Sequence, residues 1–285
     1  MIFQNRIGLG TWCYQTHHQQ IIESAIDIGY RLFDTAESYS DGQSELALGQ
    51  ALKNSAIPRN QFEIVTKFLP HAAQDPTTLK KHCYSSLKRL GIDYLDIYLL
   101  HFLDNADIKQ TIESLIPLID AGLVKHIGVC NLSSSDLDLW LQTENKLGLT
   151  NNHKISVVQH RYNLIERQAD LELNQKVKDL NLTAMFHTPF NRGRNSILMK
   201  QHTLGVDGDF WDSEQTKKLT IIADSIGATV PQFILAYLHR WPNSIAIPRT
   251  FKINKLKENF ESLNFIPLIT DKIIESVEQL FPIKV

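Results

Sequence analysis

Seven apolar runs in this chain end in polar residues whose types move protons or grip small molecules. They are Asp34, Lys67, His101, Asn131, Gln159, His187, and Arg249 with Thr250. An aspartate and a lysine on neighbouring strands in a partly dry setting are expected to pair, because a bare buried ammonium is costly. Tyr39 lies a few residues beyond Asp34, where a short loop brings its phenol back over the same place. A phenol ordinarily titrates near ~10. An adjacent ammonium stabilises the phenolate, so Lys67 is expected to lower that value and make Tyr39 a better proton donor. His101 is then available to hydrogen-bond a substrate oxygen. A proton donor beside an oxygen-binding group is what carbonyl reduction, or a related proton transfer, requires. Metal and acyl-transfer chemistry lack their patterns: His17 and His18 are adjacent, not at ligand spacing, and no G-x-S-x-G elbow occurs.

These residues need a frame that brings strand ends together. Short β-branched and apolar runs alternate with amphipathic stretches from one end of the chain to the other. Strands are predicted at 7–12, 31–35, 63–68, 94–101, 125–131, 156–159, 183–188 and 245–248. Helices are predicted between them at 18–28, 44–53, 76–90, 108–121, 136–146, 168–180, 214–226 and 231–241. Ser44 reads as the N-cap of the second helix, and Gly29, Gly91 and Gly122 read as helix stops. Strands separated by helices of this length form βαβ units and a parallel sheet. Eight such units in 285 residues favour an α/β fold of the (β/α)8 TIM-barrel type over an open doubly wound sheet. Two additional C-terminal helices follow, at about 254–263 and 270–280. The open sheet calls for a G-x-G-x-x-G phosphate loop, and Gly8-Leu9-Gly10-Thr11-Trp12-Cys13 departs from it. One barrel domain is therefore expected over residues 1–285. Its chemistry should collect at the C-terminal strand ends.

Composition agrees. The 29 Lys+Arg against 31 Asp+Glu leave a net charge of −2, so there is no electrostatic reason to expect nucleic acid or an anionic membrane as partner. With 43% hydrophobic and 21% charged residues the chain reads as folded and soluble. No apolar run reaches membrane-spanning length, and the first residues lack the design of a signal peptide. Cys13, Cys83 and Cys130 form neither a disulfide framework nor a zinc pattern, which points to the cytoplasm.

The stretch Gly29-Tyr30-Arg31-Leu32-Phe33-Asp34-Thr35-Ala36-Glu37-Ser38-Tyr39 resembles the signature of the aldo-keto reductases around their catalytic aspartate and tyrosine. Val65-Thr66-Lys67 and Leu95-Asp96-Ile97-Tyr98-Leu99-Leu100-His101 resemble the segments with the lysine and histidine. The resemblance implies a catalytic tetrad of Asp34, Tyr39, Lys67 and His101 and an NADP(H) cofactor. In Ile127-Gly128-Val129-Cys130-Asn131-Leu132-Ser133, Cys130 and Asn131 stand where the family has the Ser-Asn pair that holds the nicotinamide carboxamide. Gln159 corresponds to the glutamine on its other side. His187 and Thr188 fall where a stacking tyrosine and a serine are usual, and Arg192 and Arg194 fall in the loop that covers the pyrophosphate. Arg249, Thr250, Lys255, Glu258 and Asn259 resemble the adenosine-binding stretch, with two cations and a hydroxyl suited to a 2′-phosphate.

Trp12, Phe68 and Phe102 are expected to wall the substrate pocket. A short connection after His101 and a short tail imply an open one. The implied function is NADPH-dependent reduction of an aldehyde or ketone, or the reverse oxidation, on a small-molecule partner. The oligomeric state is left open, a monomer being compatible. Two alternatives stand beside it: an NADP(H)-binding regulatory barrel with little catalysis, and a non-redox isomerase or lyase on the same fold.

Overall fold

The computed structural model describes residues 5–191 and 213–283. Eight parallel strands run in chain order around one sheet. They are β1 (Gly8–Gly10), β2 (Leu32–Asp34), β3 (Glu63–Phe68), β4 (Leu95–Leu100), β5 (Val124–Cys130), β6 (Ile155–Arg161), β7 (Thr183–His187) and β8 (Ser244–Ile247). The seam between β1 and β8 is closed by a parallel bridge at Ile7 and Ala246 and by the Gly10 amide donating to Pro248 O at 3.1 Å. A side chain is excluded at Gly10, because a Cβ there would sit 2.9 Å from Ile247 O.

The helices that cover the strands are α1 (Gln19–Ile28), α2 (Gln43–Asn54), α3 (Pro76–Leu90), α4 (Ile108–Asp120), α5 (Ser134–Lys146), α6 (Leu173–Asp179), α7 (Ser213–Asp224) and α8 (Val230–Leu238), followed by α9 (Ile253–Glu261) and α10 (Asp271–Leu280). Their signals are local. Asp75, Asp107 and Ser133 accept from the backbone of the first turns of α3, α4 and α5, and Gly91 closes α3 in the left-handed region. Among the described residues no helix is long and apolar enough to cross a membrane.

Strand periodicity divides the core in two. Leu32, Val65, Ile97, Leu99, Cys130, Val157, Met185, Ile245 and Ile247 form the cluster inside the barrel. Their alternating neighbours, among them Phe33, Phe68, Tyr98, Val158 and Phe186, pack outward beneath the helices. Continuing the inner parity one step beyond the apolar layer reaches Asp34, Lys67, Gln159 and His187.

Two expectations for local structure are corrected. Ser44 is not an N-cap: left-handed Gly42 takes that position. Ser44 sits buried inside α2, where its Oγ meets Thr11 O at 2.9 Å, Thr11 Oγ1 at 2.6 Å and Thr35 Oγ1 at 3.0 Å. The helix expected at 168–180 is a short 3-10 turn, Gln168–Asp170, followed by α6. There the Asp170 carboxylate accepts from Asn174, Trp241 and Arg240, tying the turn to neighbouring elements instead of continuing one helix.

Candidate active site

The inner strand ends open into a cavity of about 700 Å³ at the C-terminal mouth of the barrel. Its lining includes Trp12, Asp34, Tyr39, His101, Phe102, Cys130, Asn131, Gln159, His187, Thr188 and Arg249. Lys67 lies beneath them with no solvent exposure.

An ammonium has three donors, and each of Lys67's has an acceptor: Asp34 Oδ2 at 2.8 Å, Thr35 O at 2.8 Å and Tyr39 Oη at 3.0 Å. Burial works against its charge. Asp34 and then Tyr39 more than offset that, so Lys67 titrates above the usual lysine range. The other Asp34 oxygen, Oδ1, accepts from Gln159 Nε2 at 2.7 Å. The end of β2 is pinned from behind, with Thr11 donating to Asp34 O through its amide at 2.9 Å and its hydroxyl at 3.0 Å.

Tyr39 reaches the mouth from a tight turn whose next two residues, Ser40 and Asp41, hold φ of 49° and 53°. Left-handed non-glycine residues carry strain of order 1 kcal/mol or more, which surrounding contacts must hold. Because Lys67 donates to the phenol oxygen, the phenol's own proton remains for an acceptor in the cavity. The expectation that Lys67 lowers the Tyr39 pKa below the phenol norm is corrected. Burial is the larger influence and raises it, the Lys67 charge opposes this, and the result is about 12. Tyr39 is thus protonated throughout the physiological range, with the Lys67 ammonium 3.0 Å from its oxygen.

His101 meets the edge of Tyr39, with ring centroids 5.6 Å apart at 71°, and stacks on Phe102 at 4.3 Å and 11°. Burial and then the Lys67 charge push its pKa down to about 3, so the imidazole is neutral. Its Nδ1 is buried with no hydrogen-bond partner among the described residues. A neutral ring carries one N–H, and hydrogen-bonding demand from the cavity side therefore decides which nitrogen bears it.

Asn131 at the end of β5 and Thr188 at the end of β7 hold φ of 61° and 59°, turning both out of strand alternation toward the mouth. Cys130 is a neutral thiol, pushed up to about 12 by burial. On the rim, the Arg249 guanidinium lies 4.9 Å from the Trp12 ring and 4.8 Å from the Phe251 ring, and donates to Trp12 O at 3.2 Å. Thr250 follows in the same loop. Farther along, Lys255 Nζ is 2.5 Å from Glu258 Oε2, Glu258 Oε1 accepts from Thr229 Oγ1 at 2.9 Å, and Asn259 is buried in α9. These α9 residues do not line the cavity. Arg192 and Arg194 lie outside the described residues.

Of the three apolar residues expected at the substrate pocket, Trp12 (45% exposed) and Phe102 (37%) line the cavity. Phe68 does not. It alternates away from Lys67, is fully buried and packs on Tyr98 at 4.7 Å beneath the helices. Sequence reasoning overlooked Arg161, which lines the cavity two residues beyond Gln159. The inner parity of β6 was the signal for it. Ser38, Pro189 and Phe190 complete the wall from loops whose course periodicity does not encode.

A family model described as the aldo/keto reductase family matches residues 6–280. The chain belongs to that family. Among curated proteins, this aldo/keto reductase is 27% identical over 263 residues to methylglyoxal reductase YeaE of Escherichia coli strain K12, covering 89% of this chain and 83% of that one. Among solved structures, it resembles an aldo/keto reductase from Klebsiella pneumoniae in complex with NADP and acetate. That match has a TM-score of 0.81 at 28% identity and covers 98% of this chain and 92% of the other. A thermostable aldo-keto reductase, Tm1743, solved with the inhibitor epalrestat, matches with a TM-score of 0.81 at 25% identity, covering 97% and 95%.

Proposed function

We propose that this single barrel domain reduces a small aldehyde or ketone to the alcohol with NADPH, or runs the reverse oxidation with NADP+. The carrying observation is the saturated ammonium: all three Lys67 donors are engaged, one on Tyr39 Oη, which leaves the phenol proton for the cavity. Tyr39 is then the acid that protonates the carbonyl oxygen. Lys67, held charged by Asp34, stabilises the phenolate as it forms. Neutral His101 donates one hydrogen bond to the same oxygen and fixes its position. In the oxidative direction the roles reverse, with Tyr39 taking the proton back.

The residues present suit a nicotinamide dinucleotide phosphate. Asn131 and Gln159 place carboxamide-sized hydrogen-bonding groups at the cavity floor, His187 and Thr188 flank them, and the Arg249 cation stands on the rim. Arg249, Thr250 and Lys255 would hold the 2′-phosphate, with Glu258 and Asn259 near the adenine. When bound, the reduced nicotinamide supplies the hydride that the protein cannot. The NADP complex of the Klebsiella relative supports this cofactor, and the methylglyoxal reductase supports a small carbonyl substrate. Three unpaired cysteines support a cytoplasmic setting.

The test follows the absorbance of reduced nicotinamide with NADPH, with NADH, and with an activated aromatic aldehyde or methylglyoxal. NADPH-preferring turnover that disappears in Tyr39→Phe while NADPH still binds is the expected result. Turnover that survives in Tyr39→Phe removes the tyrosine from its role.

A further inference from the structure

The turn that delivers Tyr39 is strained at two non-glycine residues and needs contacts from outside to hold it. Those contacts come from one face of α3. His82 and Arg89 stand seven residues apart on that helix, nearly two full turns, so both lie on the side that meets the turn. His82 grips the entry. The Glu37 carboxylate accepts from Leu69 N at 3.0 Å on Oε1 and from His82 Nδ1 at 2.7 Å on Oε2. A carboxylate only accepts, so Nδ1 carries a ring proton. Arg89 grips the exit. Its stem packs on left-handed Gly42, where a Cβ would lie 2.7 Å from Arg89 Cδ, and its Nε donates to Glu45 Oε2 at 2.6 Å.

Both grips are registered on the strand that bears Lys67. Glu37 N donates to Lys67 O at 3.2 Å, and Thr66 Oγ1 donates to Glu45 Oε1 at 2.6 Å. The loop is thereby clamped to β3 around the residue whose Nζ meets Tyr39 Oη at 3.0 Å. The two grips differ in burial. Glu45 has no exposure, whereas the His82 side chain is 30% exposed in a cleft of about 340 Å³ behind the turn. Ser38 lines both that cleft and the mouth, so the segment 37–39 is the wall between them. We propose that His82 is a positioning residue for the proton transfer: through Glu37 it holds the Tyr39 turn against the Lys67 strand from the face opposite the mouth. This rests on the reading of Tyr39 as the acid and adds the group that aims it. Without the His82 N–H, Glu37 Oε2 loses its bond and the entry of the strained turn is released. A misplacement of about 1 Å at a reacting group can cost on the order of 10²-fold in rate.

The experiment compares the wild type with His82→Leu and with His82→Asn, whose amide nitrogen can stand where Nδ1 stood. Single-turnover oxidation of NADPH by methylglyoxal separates the chemical step from product release. His82→Leu is expected to slow that step by about tenfold while NADPH affinity and the KM for methylglyoxal change by less than about twofold. His82→Asn is expected to recover most of the rate. Amide hydrogen exchange over residues 36–42 reads the brace without any turnover. The Tyr39 amide, bonded to Ala36 O at 3.0 Å, should exchange faster in His82→Leu and as in the wild type in His82→Asn. An unchanged rate or an unchanged exchange pattern in His82→Leu overturns the inference, and so does a slowed rate that His82→Asn does not recover. Equal slowing in Lys81→Leu, an exposed neighbour in the same cleft, assigns the loss to α3 at large and overturns it too. A wild type that binds NADPH without turnover overturns the reading of the reaction, and the exchange pattern then still decides whether His82 holds the turn.

Discussion

Replacing Asp34 with asparagine tests the centre of the site without changing its shape. Lys67 keeps its depth and its contacts to Thr35 O and Tyr39 Oη but loses the only carboxylate among its three acceptors. The new amide also cannot satisfy both neighbours. Its oxygen can face either Lys67 Nζ or Gln159 Nε2, and its NH2 then opposes the other donor. Removing one partner of a buried pair costs about 3–5 kcal/mol. At roughly 2–4 °C per kcal/mol this is a drop in Tm on the order of 10 °C.

The pH dependence carries the sharper signature. In the wild type the folded Lys67 pKa lies above the unfolded one. Its stabilisation is therefore complete below the unfolded value and is lost only as pH rises through the folded value, which leaves neutral pH flat. In Asp34→Asn burial is left as the main influence and pulls the folded value below the unfolded one. The unfolded state then binds more protons between the two values, so the variant gains stability as pH rises. Urea unfolding of both proteins at about pH 7 and about pH 9.5 should show the gap closing by 1 kcal/mol or more. A variant within 1 kcal/mol of wild type at pH 7, or a gap that stays constant, would refute the reasoning.

Arg249→Ala should raise the dissociation constant for NADPH on the order of tenfold more than that for NADH, as expected for a lost charge-assisted phosphate contact; equal losses in titration calorimetry would remove that assignment. Phe68→Ala should cost about 3–5 kcal/mol in denaturant unfolding because it opens a cavity beneath the helices, yet leave KM for small aldehydes unchanged. A rise in KM at preserved stability would return Phe68 to the pocket. Turnover at saturating substrate should show no ionisation step between about pH 5 and pH 8 assignable to His101, which is neutral throughout. A step in that window that vanishes in His101→Gln contradicts the low pKa.

The barrel was legible because alternation of strand and helix is written in local periodicity, and so was the gathering of Asp34, Lys67 and His101, because each closes an apolar run, whereas Tyr39 comes from the loop beyond Asp34. Phe68 went astray although the information was present: its neighbour Lys67 points inward, and adjacent strand residues point apart. The Tyr39 pKa was a different kind of miss. Pairing with a lysine can be inferred from neighbouring strands, but the depth at which the phenol is buried depends on every element around it, and here burial outweighs the charge. Ser44 carries the composition of an N-cap, and only the meeting of three hydroxyls from separate elements reveals its place. The His187–Asn131 bond joins strands 56 residues apart in the chain, and no spacing rule anticipates it.

The seam at Gly10 and Pro248 has a consequence for how the enzyme comes into being. It joins residues separated by most of the chain, and contacts of such separation form slowly, because the entropy of closing the intervening loop must be met before they stabilise anything. During synthesis Asp34, Tyr39 and Lys67 emerge well before Gln159, and before the β8 strand whose arrival completes the wall. The half-built sheet meanwhile exposes two unpaired edges, which is the state in which parallel α/β proteins associate wrongly. Closing the seam thus ends the aggregation-prone phase and completes the wall of the cavity in one event, so partly folded chains lack both a protected sheet and the proposed site.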